Sequence, residues 1–180
     1  MFNRRGSSGS KKEIKFAEEE LFQYALRSLS ARAITIAKLK EKLRAKAANL
    51  PDVDSALSRL KQFGYLNDRK FADSYTASRL ASQGHGKARI LRDLAQQQVP
   101  RIVAEQAVTD AFTDLSEDQL VEDYLRRKLR SVDLSDPKKL QSAYRRLRYA
   151  GFGSSVTIRV LKRHAAEAES LESLENEEIE

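Results

Sequence analysis

The chain has 180 residues, 41% hydrophobic and 33% charged, with a formal net charge of +7 and a pI of about 9.6. That size suits one or two domains, and a charge-rich, slightly apolar-poor composition suits thin helical layers rather than one thick globule. The absence of cysteine excludes disulfides, thiolate nucleophiles and thiolate metal sites and points to a reducing, cytoplasmic setting, while no run approaches the ~18 apolar residues of a membrane span.

Residues 1–12 place Gly6-Ser7-Ser8-Gly9-Ser10 among basic residues and read as a flexible basic arm. No apolar stretch follows Arg4 and Arg5, so no secretory signal is expected. From about residue 13 the helical period dominates. Leu21, Ala25, Leu26 and Leu29 form a stripe at helical spacing, broken over Ser30 to Ile34. Thr35 is placed to cap a second helix with Ile36, Leu39 and Leu43 on one face. Asn49-Leu50-Pro51-Asp52 reads as a turn with Asp52 as the next N-cap; Val53, Leu57 and Leu60 line a third helix that Gly64 ends. Asn67 caps a helix through Phe71, Tyr75, Ser78 and Leu80, ending at Gly84. A short helix carries Ile90, Leu91 and Leu94, and Pro100 opens another through Val103, Ala107, Val108 and Ala111. Ser116 and Gln119 have capping-box spacing for a helix to about Arg130, with Val121, Tyr124, Leu125 and Leu129 inward. Asp136 before Pro137 starts a helix with Leu140, Ala143, Tyr144 and Leu147 on one face, stopped by Gly151. Val156, Val160 and Leu161 mark a last short helix, and no alternating β-branched run signals a strand.

These helices repeat. Tyr24 to Leu43 overlays Tyr75 to Leu94 without a gap, and the same offset brings Val53, Ala56, Leu57 and Leu60 onto Ala104, Ala107, Val108 and Ala111. A shift of two more residues carries Leu94 onto Leu147 and Val108 onto Leu161, which places a small insertion near 132–136. The predicted fold is all-α: three tandem three-helix repeats at 20–66, 67–115 and 116–164, stacked into an elongated, curved body because each is too small to be stable alone. Residues 1–19 hold the arm and the start of the first helix, and 165–180 an acidic tail.

Charge is segregated. Residues 165–180 hold seven Glu and no Lys or Arg, so the rest of the chain carries +14, of which 116–164 supplies +6 and 67–115 only about +1. Such a body favours a polyanion or an acidic protein surface. On the helix after Ser116, Arg126, Arg127 and Arg130 lie opposite the apolar face. On the next, Lys138, Arg145 and Arg148 do so, with Arg146 beside them. Lys38 and Lys42 lie one turn apart after Thr35. Faces that are basic and nearly free of acid suit phosphate contacts, and nothing in the pattern supplies base-edge readout, so contact with single-stranded DNA is expected to be sequence-independent. Gly84-His85-Gly86-Lys87 lacks the spacing of a phosphate loop and reads as a helix stop followed by a helix start, although Lys87 and Arg89 at that start are candidates for touching a phosphate. His85 and His164 are far apart in sequence and no metal motif is present. Acidic pairs such as Asp52/Asp54 and Glu117/Asp118 fall at helix starts, where they complement the dipole. Tyrosines and phenylalanines on the apolar stripes are read as core rather than as base-stacking platforms.

In order along the chain, Ala25-Leu26…Leu29-Ser30-x-Arg32 with Leu39-x-x-Lys42-Leu43, then Gly64-Tyr65-Leu66-Asn67-Asp68-x-x-Phe71-Ala72, then Arg79 with Gly84-x-Gly86-x-x-Arg89-Ile90-x-x-x-Leu94, then Leu147-x-x-x-Gly151-Phe152 with Ile158 resemble the RecX family, bacterial modulators of the RecA recombinase. The likeness covers about residues 21–162; the apolar Ala33-Ile34-Thr35-Ile36 departs from the more polar stretch usual there. The resemblance implies a non-enzymatic regulator without cofactors. It implies binding in the groove of the RecA–single-stranded-DNA filament and limiting recombinase activity in DNA repair and the SOS response; a monomer is expected separately, because no heptad seam signals a coiled-coil dimer. The residues taken alone also allow a sequence-independent nucleic-acid-binding repeat protein with no recombinase partner.

Overall fold

The computed structural model of the chain describes residues 15–165; the basic arm over 1–12 and the glutamates of the acidic tail lie outside the described residues. Among the described residues nine α-helices follow one another in threes. The first module holds α1 (Glu18–Ala31), α2 (Ile36–Lys46) and α3 (Leu50–Gln62). The second holds α4 (Asp68–Gln83), α5 (Lys87–Gln96) and α6 (Arg101–Phe112). The third holds α7 (Glu117–Lys128), α8 (Pro137–Tyr149) and α9 (Ser154–His164). Among the described residues there is no strand; one isolated bridge joins Phe16 to Ala47 and ties the approach to α1 to the end of α2.

Local chemistry sets most boundaries. Thr35 accepts from Lys38 N at 3.3 Å, Asn67 from Lys70 N at 2.9 Å, and Asp136 from Lys138 N and Lys139 N at 2.9 and 3.3 Å. Three starts differ from the sequence reading. α3 begins before Asp52, with Asn49 at the N-cap and Pro51 in the first turn, because proline's fixed φ already suits a helical first turn. Pro100 itself stands at the N-cap of α6, one residue outside the helix. At α7 Ser116 accepts from Gln119 N, but the Gln119 side chain turns to Asp123 at 3.2 Å, so only half of the capping box forms.

The chain divides after Leu66 into two compact units. In the first unit, Leu21, Phe22, Ala25, Leu39, Leu43 and Leu60 build one core, closed by Leu66. The second unit contains two cores, one around Ile90, Leu94, Val108 and Phe112 and one around Leu125, Tyr144, Leu147 and Leu161. Repeat-equivalent positions are buried alike: Leu43, Leu94 and Leu147, and Leu57, Val108 and Leu161. Burying one such side chain contributes about 1.5–3 kcal/mol. In each module the first helix packs on the third. An ion pair crosses between those helices at equivalent places: Glu18–Arg59 at 3.6 Å, Arg69–Asp110 at 2.5 Å and Glu122–Arg163 at 3.7 Å. Its polarity is reversed in the second module. Such exposed pairs add little stability; their recurrence marks the repeat. The extra residues of the third module form the loop before α8, whose Val132 and Leu134 pack against the third core.

Candidate nucleic-acid interface

The Gly84–Lys87 turn is spent on joining the second and third modules. Gly86 N donates to Ala150 O at 2.9 Å and Ala88 N to Gly151 O at 3.2 Å, so carbonyls at the end of α8 satisfy the free donors at the start of α5. Two backbone donors of that helix start are thus used within the fold. Backbone approaches so closely here that a Cβ on Gly86 would strike the Gly151 carbonyl, and one on Gly151, whose φ is +94°, would strike the Arg89 backbone. Side chains reinforce the junction: Arg127 donates to Ala81 O at 3.3 Å, Arg92 to Tyr149 O at 3.2 Å, and Lys87 meets Glu117 at 3.0 Å.

Behind it, the buried Asp93 gathers cations. Arg89 donates to it at 3.0 Å, and Arg79 and His85 lie 4.0 and 3.9 Å away. Burial, with Arg89 beside it, holds the His85 imidazole below its ordinary range. Arg89 also stacks 4.6 Å from the centre of the Tyr149 ring, and its hydrogen bond to the phenol draws that group's pKa down.

The predicted contact residues therefore separate into two sets. Lys87, Arg89, Arg127 and Arg148 are engaged in the fold, Arg148 donating to Phe152 O at 2.9 Å. Arg126 is tied to Asp123 at 2.6 Å, and Lys38 lies 3.9 Å from Glu41. Arg130, Lys138, Arg145 and Arg146 are exposed on the loop end of α7 and on α8 and have no ion pair with another described residue; Lys42 in the first unit has none either. Lys128 joins the α7 end of this strip and was missed in the sequence, although it stands directly beside Arg127. The strip exists because α8 contains no acid at all, while the acids around it are occupied. Asp118 holds Arg159 and Arg163 at 2.5 and 2.6 Å, and the hydrogen bond from Arg159, followed by that from Arg163, keeps its carboxyl below the usual range. Glu122 holds His164 at 2.8 Å. Chemically, the strip can neutralise successive backbone phosphates without reading bases.

Of the aromatics on the apolar stripes, Tyr144 is buried and Phe71, Tyr75 and Tyr124 are half-buried, whereas Phe63, Tyr65 and Tyr149, which lie off the stripes, are 65%, 56% and 67% exposed. Phe63 and Tyr65 stand 6.3 Å apart at the end of the first unit. Their nearness to Gly64, where the apolar period stops, is the signal that marks them. Among the described residues no helix is long and apolar enough to cross a membrane.

The family model described as RecX, second three-helix domain, matches residues 67–108. A regulatory protein RecX from Mycobacterium sp. (strain JLS) is 32% identical over 148 residues, covering 80% of this chain and 81% of the relative. Another from Syntrophotalea carbinolica is 29% identical over 134 residues, covering 73% of this chain and 88% of the relative. The crystal structure of RecX from Lactobacillus salivarius superposes with a TM-score of 0.65 at 20% identity, over 81% of this chain and 95% of that one, and shows the same fold.

Proposed function

This chain belongs to the RecX family of regulatory proteins, and on that premise we propose that it is a non-enzymatic regulator that binds the RecA-type recombinase filament on single-stranded DNA and restrains its activity in DNA repair and the SOS response. The observation that carries this reading is the unpaired strip Lys128, Arg130, Lys138, Arg145 and Arg146 in the third module. A solvated helix face normally mixes signs; α8 presents Lys138, Lys139, Arg145 and Arg146 with no acid between them. A filament groove lined by protein and by DNA phosphates is a polyanion to which such a face is attracted, with an affinity that falls as salt rises. Contact is sequence-independent, acts in the cytoplasm and involves a monomer. Titrating the purified chain into recombinase on single-stranded DNA should suppress ATP hydrolysis at substoichiometric amounts. Unaltered hydrolysis at every ratio overturns the reading. The same strip favours plain nucleic-acid binding without a recombinase partner, and that alternative is selected if DNA is bound while recombinase is neither bound nor slowed.

A further inference from the structure

The third module carries an open pocket at the place where the second module is filled by its neighbour. In the second module, Gly86, Arg89 and Asp93 lie at the junction described above, with the end of α8 seated on Gly86 and Arg89. The repeat offset carries these positions onto Lys139, Ser142 and Arg146. Here nothing among the described residues is seated on them, and a pocket of about 270 Å³ opens instead. Its floor is apolar, from Leu129, Val132 and Ala143; its rim is polar, from Ser131, Ser142, Lys139 and Arg146. The volume is just below the roughly 300–1,000 Å³ of drug-sized pockets, a size for one flat ring system and its sugar.

Charge at the rim is inverted relative to the second module, since Arg146 stands where Asp93 does. The nearby acids bear on Lys139: Asp136, which caps α8, lies 3.6 Å from it, and Asp133, held by Ser135 through its hydroxyl at 2.5 Å and its backbone N at 3.1 Å, also feels its charge, so Arg146 is the rim cation they leave unpaired. Arg146 has no ion pair among the described residues, and Arg145 and Lys138 extend the positive rim along α8.

We infer that this pocket takes a single nucleotide of single-stranded DNA, with the base on the Leu129, Val132 and Ala143 floor, the two serine hydroxyls at its edge and the adjoining phosphates on Lys139 and Arg146. An aliphatic floor gives the face of any base an apolar contact without aromatic stacking, and cations beside it hold the backbone, so contact needs no particular sequence. Multiple cations around one apolar slot fit a chain of phosphates better than a peptide with isolated carboxylates. The inference deepens the DNA contact proposed above and rests on it.

The test uses the full chain without recombinase, so that its failure leaves the ATPase result standing. Fluorescence anisotropy compares a labelled thymidine oligomer with an abasic oligomer of the same length and phosphate count. The intact oligomer is expected to bind about tenfold tighter, the range of one base contact. Ser142→Leu and, from the other wall, Ser131→Leu fill the pocket and keep every cation; each is expected to bind the two oligomers equally, with an unchanged thermal midpoint as the check on folding. Equal affinity of the unaltered chain for both oligomers, or no binding of either, overturns the inference. So does a base preference that survives both folded variants. If a Glu-rich peptide binds and the variants weaken it while the base preference persists, the pocket belongs to an acidic peptide and the nucleotide assignment is wrong.

Discussion

The second and third modules share helix order, core plan and the ion pair between their first and third helices, yet they use their cations in opposite ways. In the second, Arg69 is held by Asp73 and Asp110, Arg101 by Glu105, and Arg79, His85 and Arg89 converge on Asp93. In the third, α8 has an arginine where Asp93 stands, and Lys138, Arg145 and Arg146 face solvent. Three repeat-matched differences, Lys139 for Gly86, Ser142 for Arg89 and Arg146 for Asp93, separate the face that carries the next module from the face proposed above to attract an anion. Fold and binding surface are separable here because the core is carried by apolar positions that the repeats share, and the charge by positions that they do not.

If the cores are equivalent, Leu94→Ala and Leu147→Ala should each cost about 2–5 kcal/mol in urea unfolding, both being fully buried. A near-neutral result at either would break the equivalence. The junction is sharpened by Gly151→Ala. A strained left-handed φ and a collision with the Arg89 backbone should cost about 2–4 kcal/mol, against about 1 kcal/mol for Gly64→Ala, where φ is also positive but the space is open. Equal losses at the two glycines would mean that the close approach is not needed. For the charged face, replacing Arg130, Lys138, Arg145 and Arg146 together by Ala should flatten the salt dependence of single-stranded DNA binding by about 3 in log–log slope, roughly 0.7 per phosphate contact. Replacing Arg69 and Arg101 should leave it unaltered. The smallest effect concerns His85. Its pKa is depressed in the folded chain, so the unfolded chain binds more protons once pH falls below about 6.5. Stability is therefore held above that pH and declines below it, and His85→Gln should lessen the decline between pH 7.5 and 5.5, as read by urea midpoints.

Much of the fold was legible because its determinants are local. Thr35, Asn67 and Asp136 cap helices where the sequence places them, and Gly64, Gly84 and Gly151 stop helices in the left-handed conformation. The repeat-matched positions Leu43, Leu94 and Leu147 are all interior. The misses at Asp52 and Pro100 are single-turn errors set by proline geometry. The candidate site was less legible, since whether an arginine is free depends on a partner far along the chain. Arg89 and Arg127 look in sequence like Arg145 and Arg146, and only the approach of Tyr149 and Ala81 distinguishes them. The exposed Tyr149 lies five residues past the buried Tyr144, about 140° round the helix and off the face that Leu140, Ala143, Tyr144 and Leu147 share, as the period requires.

The most direct measurement of the central claim is recombinase ATPase on single-stranded DNA, titrated with the unaltered chain, the Arg130/Lys138/Arg145/Arg146 quadruple-alanine variant and the Arg69/Arg101 double-alanine variant. The account predicts inhibition by the first and third at similar concentrations and at least a tenfold higher requirement, ~1.4 kcal/mol, for the quadruple variant. Coincident curves for all three would contradict it.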